Sequence, residues 1–94
     1  MSMINMLGEL TSAYWNTFIA YLKSKRKDSS WVRMNLGWLE RVMDVGMRVL
    51  GNVNDEPLDP FFEAVRENAE LRRLIDVECR KVVRRYQLQA QYST

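Results

Sequence analysis

The 94-residue sequence contains no histidine and a single cysteine, Cys79. The absence of histidine removes Ser-His and Cys-His nucleophile pairs, histidine metal sites and the most common general acid and base. One cysteine can form neither an intrachain disulfide nor a cysteine-based zinc site, and this favours a reducing compartment. The sequence therefore gives little support to hydrolase or metalloenzyme chemistry and predicts a cytoplasmic protein.

Glycine is also scarce, with four residues that are never adjacent to one another. Neither G-x-x-x-x-G-K-[ST] nor G-x-G-x-x-G occurs, and phosphate-binding loops need those glycines so that the backbone can approach the phosphate. Together with the missing histidine, this predicts a protein that is not an enzyme. We expect no cofactor and no small-molecule substrate.

Long apolar runs are absent as well. A transmembrane helix needs about 20 nearly uncharged apolar residues, and Asn5, Glu9, Ser12 and Asn16 interrupt the first apolar stretch. The first residues also lack the basic start that is typical of a signal peptide. We therefore expect an intracellular protein without a membrane span.

What the sequence does contain is a large apolar share, 47%, with three Trp, six Met, three Phe and four Tyr. A chain of this length buries roughly 60–65% of its unfolded surface, and extended exposed apolar patches mark association. We expect a homo-oligomer or docking on a protein partner, and a tightly packed monomer is the alternative. The candidate apolar interface residues are Trp15, Trp31, Trp38, Met43 and Met47.

Apolar residues recur at intervals of three and four, and no segment alternates with period two. This spacing is typical of amphipathic helices and predicts an all-α fold, a small three- to four-helix bundle in a single domain over residues 1–94. The predicted helices cover residues 3–27, 31–50, 60–67 and 69–88, and a polar frayed tail covers residues 89–94.

Residues with characteristic end preferences set these boundaries. The segment 28–30, Asp-Ser-Ser, can cap the second helix, and residues 51–60 hold both prolines in the one clear loop. We expect Asp59 to act as an N-cap before Pro60 and a bend or break near Asn68. Gly37 and Gly46 each cost about 1 kcal/mol of helix propensity, which indicates close approach of a neighbouring helix or a kink.

The formal net charge is only +2, but the signs are segregated along the chain. Residues 23–27 hold four cations and no acid, residues 55–70 hold six acids against one cation, and residues 72–85 hold six cations against two acids. Such basic helix faces can bind nucleic-acid phosphates or an acidic protein surface. The candidate binding residues are Arg73, Arg80, Lys81, Arg84, Arg85, Lys23, Lys25, Arg26 and Lys27.

These patterns predict a non-enzymatic helical interaction module, such as an adaptor, an accessory subunit or a small inhibitor, that binds a protein partner. The first alternative is nucleic-acid binding, for example to double-stranded RNA, whose backbone is recognised by shape. The second is peripheral membrane association through the first helix, with Trp15 and Tyr21 at headgroup level and the basic 23–27 segment on anionic lipid.

The acidic loop suggests a metal site that we judge less favoured. Asn52, Asn54, Glu56 and Glu63 fall at positions 1, 3, 5 and 12 of a calcium-loop frame, but Pro57 takes the place of its glycine. We expect a solvated loop without bound metal.

The cysteine and the aromatic residues of the apolar segments could also have a function, as a nucleophile and as a base-stacking surface. Cys79 stands between Ile75 and Val82 on an apolar helix face, so we expect a small buried hydrophobic residue rather than a nucleophile. The aromatic cluster of the first helix, around Tyr14 and Trp15, could stack on bases, but its helical spacing favours core or interface.

Overall fold

A computed structural model of the chain describes residues 3–51 and 58–92. The all-α prediction is confirmed, because these residues form helices and no strand. None of the helices in the two described ranges is long and apolar enough to cross a membrane. The helices are α1 (Met3–Lys25), α2 (Ser29–Met34), α3 (Leu36–Gly51), α4 (Asp59–Arg66) and α5 (Ala69–Tyr92).

The prediction of one helix over residues 31–50 is wrong, because α2 and α3 are separated at Asn35. Asn35 leaves the helical conformation, with φ −116° and ψ 18°. Its side-chain amide donates to the carbonyl of Trp31 at 2.8 Å, and its backbone N–H donates to the carbonyls of Trp31 and Val32. An asparagine side chain that bonds the backbone in this way competes with helix continuation.

Two helices start with an N-cap hydrogen bond at the places where the sequence predicts a helix start or break. Asp28 accepts the backbone N–H of Trp31 at 3.1 Å and caps α2, as predicted. The predicted break near Asn68 is confirmed, and Asn68 itself accepts the N–H of Leu71 at 3.1 Å at the start of α5. The expected cap at Asp59 is wrong. Asp59 is the first residue of α4, where its carboxylate still complements the positive end of the helix dipole.

The helix ends also differ from prediction. The first helix stops at Lys25 rather than residue 27, and α5 continues to Tyr92 rather than stopping at residue 88. The frayed tail is therefore wrong for residues 89–92, where glutamine and alanine are good helix formers. Residues 93 and 94, the remainder of that tail, lie outside the described residues.

Two helix pairs make up the fold. In the first pair, α1 and α5 lie side by side, and ion pairs join Lys25 to Glu70 at 3.0 Å and Arg85 to Glu9 at 3.5 Å. Because Lys25 ends α1 and Glu70 begins α5, the two helices are antiparallel. In the second pair α3 packs against α4, and α4 also contacts α5. The molecule is flat and elongated, with extents of 52 × 33 × 17 Å.

The core lies where the two pairs meet, and four of its nine described buried residues are aromatic. Trp38 is 7% exposed, and its indole N–H donates to the carbonyl of Ala64 at 2.8 Å, which ties α3 to α4. Trp38 is therefore not an interface residue, contrary to the prediction, because its face of α3 packs against α4. The core residues are Phe18, Tyr21, Trp38, Val42, Phe61, Ala64, Val65, Leu71 and Ile75.

A chain of rings closes one end of this core. The ring centroids of Tyr21 and Trp31 are 5.8 Å apart, and those of Trp31 and Trp38 are 6.3 Å apart. The ammonium group of Lys25 lies 5.5 Å from the Tyr21 ring and 5.8 Å from the Trp31 ring, within the range of a cation–π contact. Half-buried Trp31, also predicted as an interface residue, thus packs against the core and contributes little to the outer surface.

We predict that Trp38→Phe lowers the free energy of unfolding by about 2 kcal/mol, because it removes a buried hydrogen bond and part of a packed side chain. Urea denaturation followed by circular dichroism measures the change. Trp31→Phe is the matched control and should cost less, because no hydrogen bond from its indole to a described residue is lost. Equal losses for the two variants would contradict the role given to the Trp38–Ala64 bond.

Candidate functional site

An apolar groove with a volume of about 520 Å³ lies between α1 and α3, and we call it the α1–α3 groove. Within the described ranges no charged residue lines it, and its open side faces solvent. The lining residues are Trp15, Phe18, Leu22, Val42, Met43, Gly46, Met47, Val49, Leu58 and Phe61.

Aromatic rings form the floor of the groove. Phe61, at the start of α4, stacks on Trp15 of α1 with centroids 5.4 Å apart and an interplanar angle of 25°. Phe18 meets the same Phe61 ring at 5.8 Å in an edge-to-face arrangement. Phe18 and Phe61 are buried and packed, which restricts their movement, whereas Trp15 is 37% exposed.

Gly46 brings α3 close to this floor. A Cβ atom at Gly46 would lie 3.5 Å from Cε2 of Phe61, which is ordinary van der Waals contact. Gly46 therefore lies against the Phe61 side chain with room for a methyl group, and the close helix approach that was expected to require glycine is not found there. A Cβ atom at Gly37 would meet no described atom within 4 Å, so the close approach is absent there, and the helix break at Asn35 is two residues away.

Flexible side chains form the outer wall of the groove. Met43 is 63% exposed and Met47 is 70% exposed, because they lie on the side of α3 that faces away from α4. On the α1 side, Trp15 lines the groove and is 37% exposed. Methionine is unbranched and adaptable, so this wall can adjust to the shape of whatever contacts it.

The structure thus brings together three of the five predicted interface residues, Trp15, Met43 and Met47. Sequence reasoning missed the contribution of Gly46 and Phe61, since it could not tell that the start of α4 inserts beneath α3. A second apolar strip on the first helix, Trp15, Ile19 and Leu22, was the available sign that α1 has a flank outside the core.

Charged residues lie within one helical turn of lining residues on both helices. On the α1 edge, Lys23 follows Ile19 by one helical turn, and Arg26 follows Leu22 by one turn. On the α3 edge, Glu40 precedes Met43 by about one turn. All three charged side chains are exposed and form no ion pair within the described residues. None of the three is among the lining residues of the groove.

The predicted basic residues divide into paired and unpaired groups. Lys25 pairs with Glu70, Lys81 with Glu78 at 3.1 Å, and Arg85 with Glu9. These three cations were predicted to bind a partner, but each already forms an ion pair within the chain.

Three other arginines of α5, Arg73, Arg80 and Arg84, are exposed, and no residue in the described part of the chain forms an ion pair with them. They lie within about 40° of one another around the helix and span roughly 16 Å along it. We call them the arginine ridge. The ion pair between Lys25 and Glu70 places the basic 23–27 turn beside the start of α5, the end of the ridge at which Arg73 stands.

Two titratable side chains, Cys79 and Tyr14, are partly buried against the core, so Cys79 is less buried than predicted. Burial raises the pKa of the Cys79 thiol, and the nearby carboxylates of Asp76 and Glu78 raise it further, so the reactive thiolate is disfavoured. Burial, with a smaller contribution from Cys79, raises the pKa of Tyr14 to about 12. The Tyr14 ring packs edge-to-face on Phe62 at 5.2 Å and is therefore a core contact rather than a base-stacking platform.

The calcium-loop frame falls mostly outside the described residues, which include neither Asn52, Asn54 and Glu56 nor Pro57. Glu63, its last position, is exposed on α4. Within residues 3–51 and 58–92, no group of three or more histidine, cysteine, aspartate or glutamate side chains is arranged to hold a metal ion.

We predict that Gly46→Ala raises the free energy of unfolding by about 0.5–1 kcal/mol, because alanine favours the helix and its methyl group fits against Phe61 without a clash. Thermal unfolding by circular dichroism measures the change. Gly8→Ala is the control, since it is also within a helix but has no described atom within 4 Å of the new methyl group. A loss of stability confined to Gly46→Ala would show that α3 has no room for a methyl group above the Phe61 ring.

No protein-family model, curated protein or solved structure matches this chain. The geometry and chemistry of the α1–α3 groove and of the arginine ridge are therefore what indicate its function.

Proposed function

We propose that this protein is a non-enzymatic interaction module that binds a protein partner through the α1–α3 groove. The observation that carries the proposal is the exposure of Met43 and Met47 above a floor of packed aromatic rings. Contiguous exposed apolar surface of this kind marks association sites. Aromatic anchors in well-packed surroundings supply most of the binding energy at protein interfaces.

The lining of the groove favours a protein over a small molecule. Ligand sites combine apolar walls with a few placed polar groups that orient the ligand, whereas the described lining of this groove consists of apolar side chains and one glycine. The same lining residues include no nucleophile and no acid or base. Burial of apolar side chains is the chemistry that remains, and it suits an adaptor, an accessory subunit or a small inhibitor.

Stiff and adaptable parts are combined in one surface. The Phe61 and Trp15 rings are held by stacking, while Met43 and Met47 can repack, as methionine-rich surfaces do when they accept related partners. We place this activity in the cytoplasm on the basis of the single unpaired cysteine. We do not extend the proposal to a membrane surface, because Tyr21, one of its two expected aromatic anchors, is buried in the core.

We predict that Met43→Asp with Met47→Asp abolishes recovery of the protein partner in a pull-down from cells of the native source, because two carboxylates cannot be buried in an apolar interface. Quantitative mass spectrometry of the bound fraction measures it, and circular dichroism checks that the fold is retained. Arg80→Ala with Arg84→Ala, two changes outside the groove, is the matched control. Partners that bind equally to both double variants would rule out the groove as their site.

The second candidate function is nucleic-acid binding, and the observation that favours it is the arginine ridge. Its three guanidinium groups are exposed on one side of α5 without an ion pair inside the described residues. A row of cations roughly 16 Å long can follow a phosphate backbone, and such binding does not depend on sequence.

If the ridge binds nucleic acid, the protein shifts duplex RNA or DNA in a native gel at low salt, and the affinity falls steeply between about 50 and 200 mM salt. We predict that Arg80→Ala with Arg84→Ala then reduces affinity and flattens the salt dependence by about two units of slope. Met43→Asp with Met47→Asp should leave the shift unchanged. Absence of any shift at low salt would exclude this function.

A further inference from the structure

We propose that a cavity between α1, α4 and α5 binds the phosphoryl group of a small phosphate monoester, held by the guanidinium groups of Arg66 and Arg72 and by the hydroxyl of Tyr14. The cavity has a volume of about 340 Å³ and is lined by Tyr14, Val65, Arg66, Arg72, Ile75 and Asp76. It shares no lining residue with the α1–α3 groove. Binding here therefore does not use the surface proposed for the protein partner.

The lining of this cavity has the composition of a small-molecule site. Val65 and Ile75 are buried and supply an apolar wall, and the polar groups are two guanidinium groups, one carboxylate and one phenol. Small-molecule sites combine such a wall with a few polar groups that orient the ligand, in volumes of about 300–1,000 Å³. The cavity lies at the lower end of this range, so it suits a small ligand.

Two arginines reach the cavity without a carboxylate partner. Arg66 ends α4, Arg72 lies one turn into α5, and both are exposed. Neither forms an ion pair within the described residues, and the nearby acids Glu67 and Glu70 pair with cations of α3 and α1 instead. A guanidinium group is permanently charged, and its fork of N–H donors matches the oxygens of a phosphate. An anion is therefore the partner that both arginines lack.

Tyr14 adds a neutral donor from a third helix. Its hydroxyl is buried and has no hydrogen-bond partner among the described residues, although a buried polar group without a partner costs free energy. Burial raises the pKa of Tyr14 to about 12, so the hydroxyl keeps its proton and can donate. Because Tyr14 lines the same cavity as the two arginines, we expect an oxygen of the bound ligand to accept this hydrogen bond.

The origin of the donors favours a phosphoryl group over a carboxylate. A carboxylate has two oxygens in one plane, and a single arginine fork can satisfy both. A phosphate monoester instead presents three strong acceptor oxygens. The donors of this cavity come from the end of α4, the start of α5 and the middle of α1. Three donors on three helices match three oxygens.

Asp76 opposes anion binding and limits its strength. Its carboxylate lines the same cavity one helical turn after Arg72, and no ion pair joins the two side chains. Two guanidinium groups and one carboxylate leave the lining with a formal charge of +1, so an anion is still attracted. Because Asp76 repels the ligand and competes for Arg72, removal of its charge should strengthen binding.

Titration with inorganic phosphate, followed by nitrogen-15 NMR at an ionic strength held constant with sodium chloride, tests the site. We expect saturable binding with a millimolar dissociation constant. Arg66→Gln and Arg72→Gln should each weaken it about tenfold and Tyr14→Phe about threefold, because each removes a donor to the ligand. Asp76→Asn should strengthen it about threefold. Arg33→Gln removes an exposed, unpaired arginine outside the cavity and is the matched control, without effect.

The amide signals that shift should be those of the residues that line the cavity. Shifts centred on the arginine ridge, or no saturable shift at all, would overturn the proposal. Equal binding of acetate would overturn the choice of a phosphoryl group, and binding of a phosphoserine peptide without binding of phosphate or glycerol phosphate would overturn the choice of a small ligand.

The tyrosine variant separates binding from folding. Tyr14→Phe removes no hydrogen bond within the described residues, so thermal unfolding without phosphate should be unchanged while the phosphate affinity falls. An affinity that stays at the wild-type value in this variant would contradict the three-donor site. None of these results depends on the pull-down that tests the α1–α3 groove, so either proposal can fail alone.

Discussion

The contact on which the rest of the fold depends is the hydrogen bond from the Trp38 indole to the Ala64 carbonyl, set within packed aromatic rings. It joins α3 to α4 at the point where the Tyr21–Trp31–Trp38 chain of rings reaches the core. Because α3 is fixed at this end, its other apolar stripe is left facing the flank of α1. The groove is a consequence of that placement, since the residues that build the core also set its floor.

Much of the fold follows from local sequence. Apolar residues three and four apart locate the long helices, Asp28 caps α2, and the interrupted apolar face at Asn68 separates α4 from α5. The break at Asn35 does not follow, because asparagine is only slightly less favourable than its neighbours in a helix. Its effect depends on the Trp31 carbonyl being within reach of its side chain, which is a fact of the folded backbone.

The site was predictable only in part, for a reason that α3 illustrates. Trp38 and Met43 lie about 140° apart around this helix, and both belong to apolar stripes that the sequence presents equally. Which stripe becomes core depends on where α4 docks, and α4 is separated from α3 by the loop. The composition therefore indicated that some apolar surface would remain exposed. Which apolar residues are exposed depends on the packing of Phe61 beneath Gly46.

The thickness of the molecule has a consequence for how its stability is distributed. Its shortest extent, 17 Å, has room for no more than two layers of helices, whose axes pack about 8–10 Å apart. Across residues 3–51 and 58–92 every helix keeps a solvated flank, and the largest fully buried side chains are only Leu71 and Val65. Such a fold lacks, in its described part, a deep nucleus that could persist while the periphery opens. The backbone amides of all the helices should therefore be protected against hydrogen exchange to a similar degree, because the helices open together.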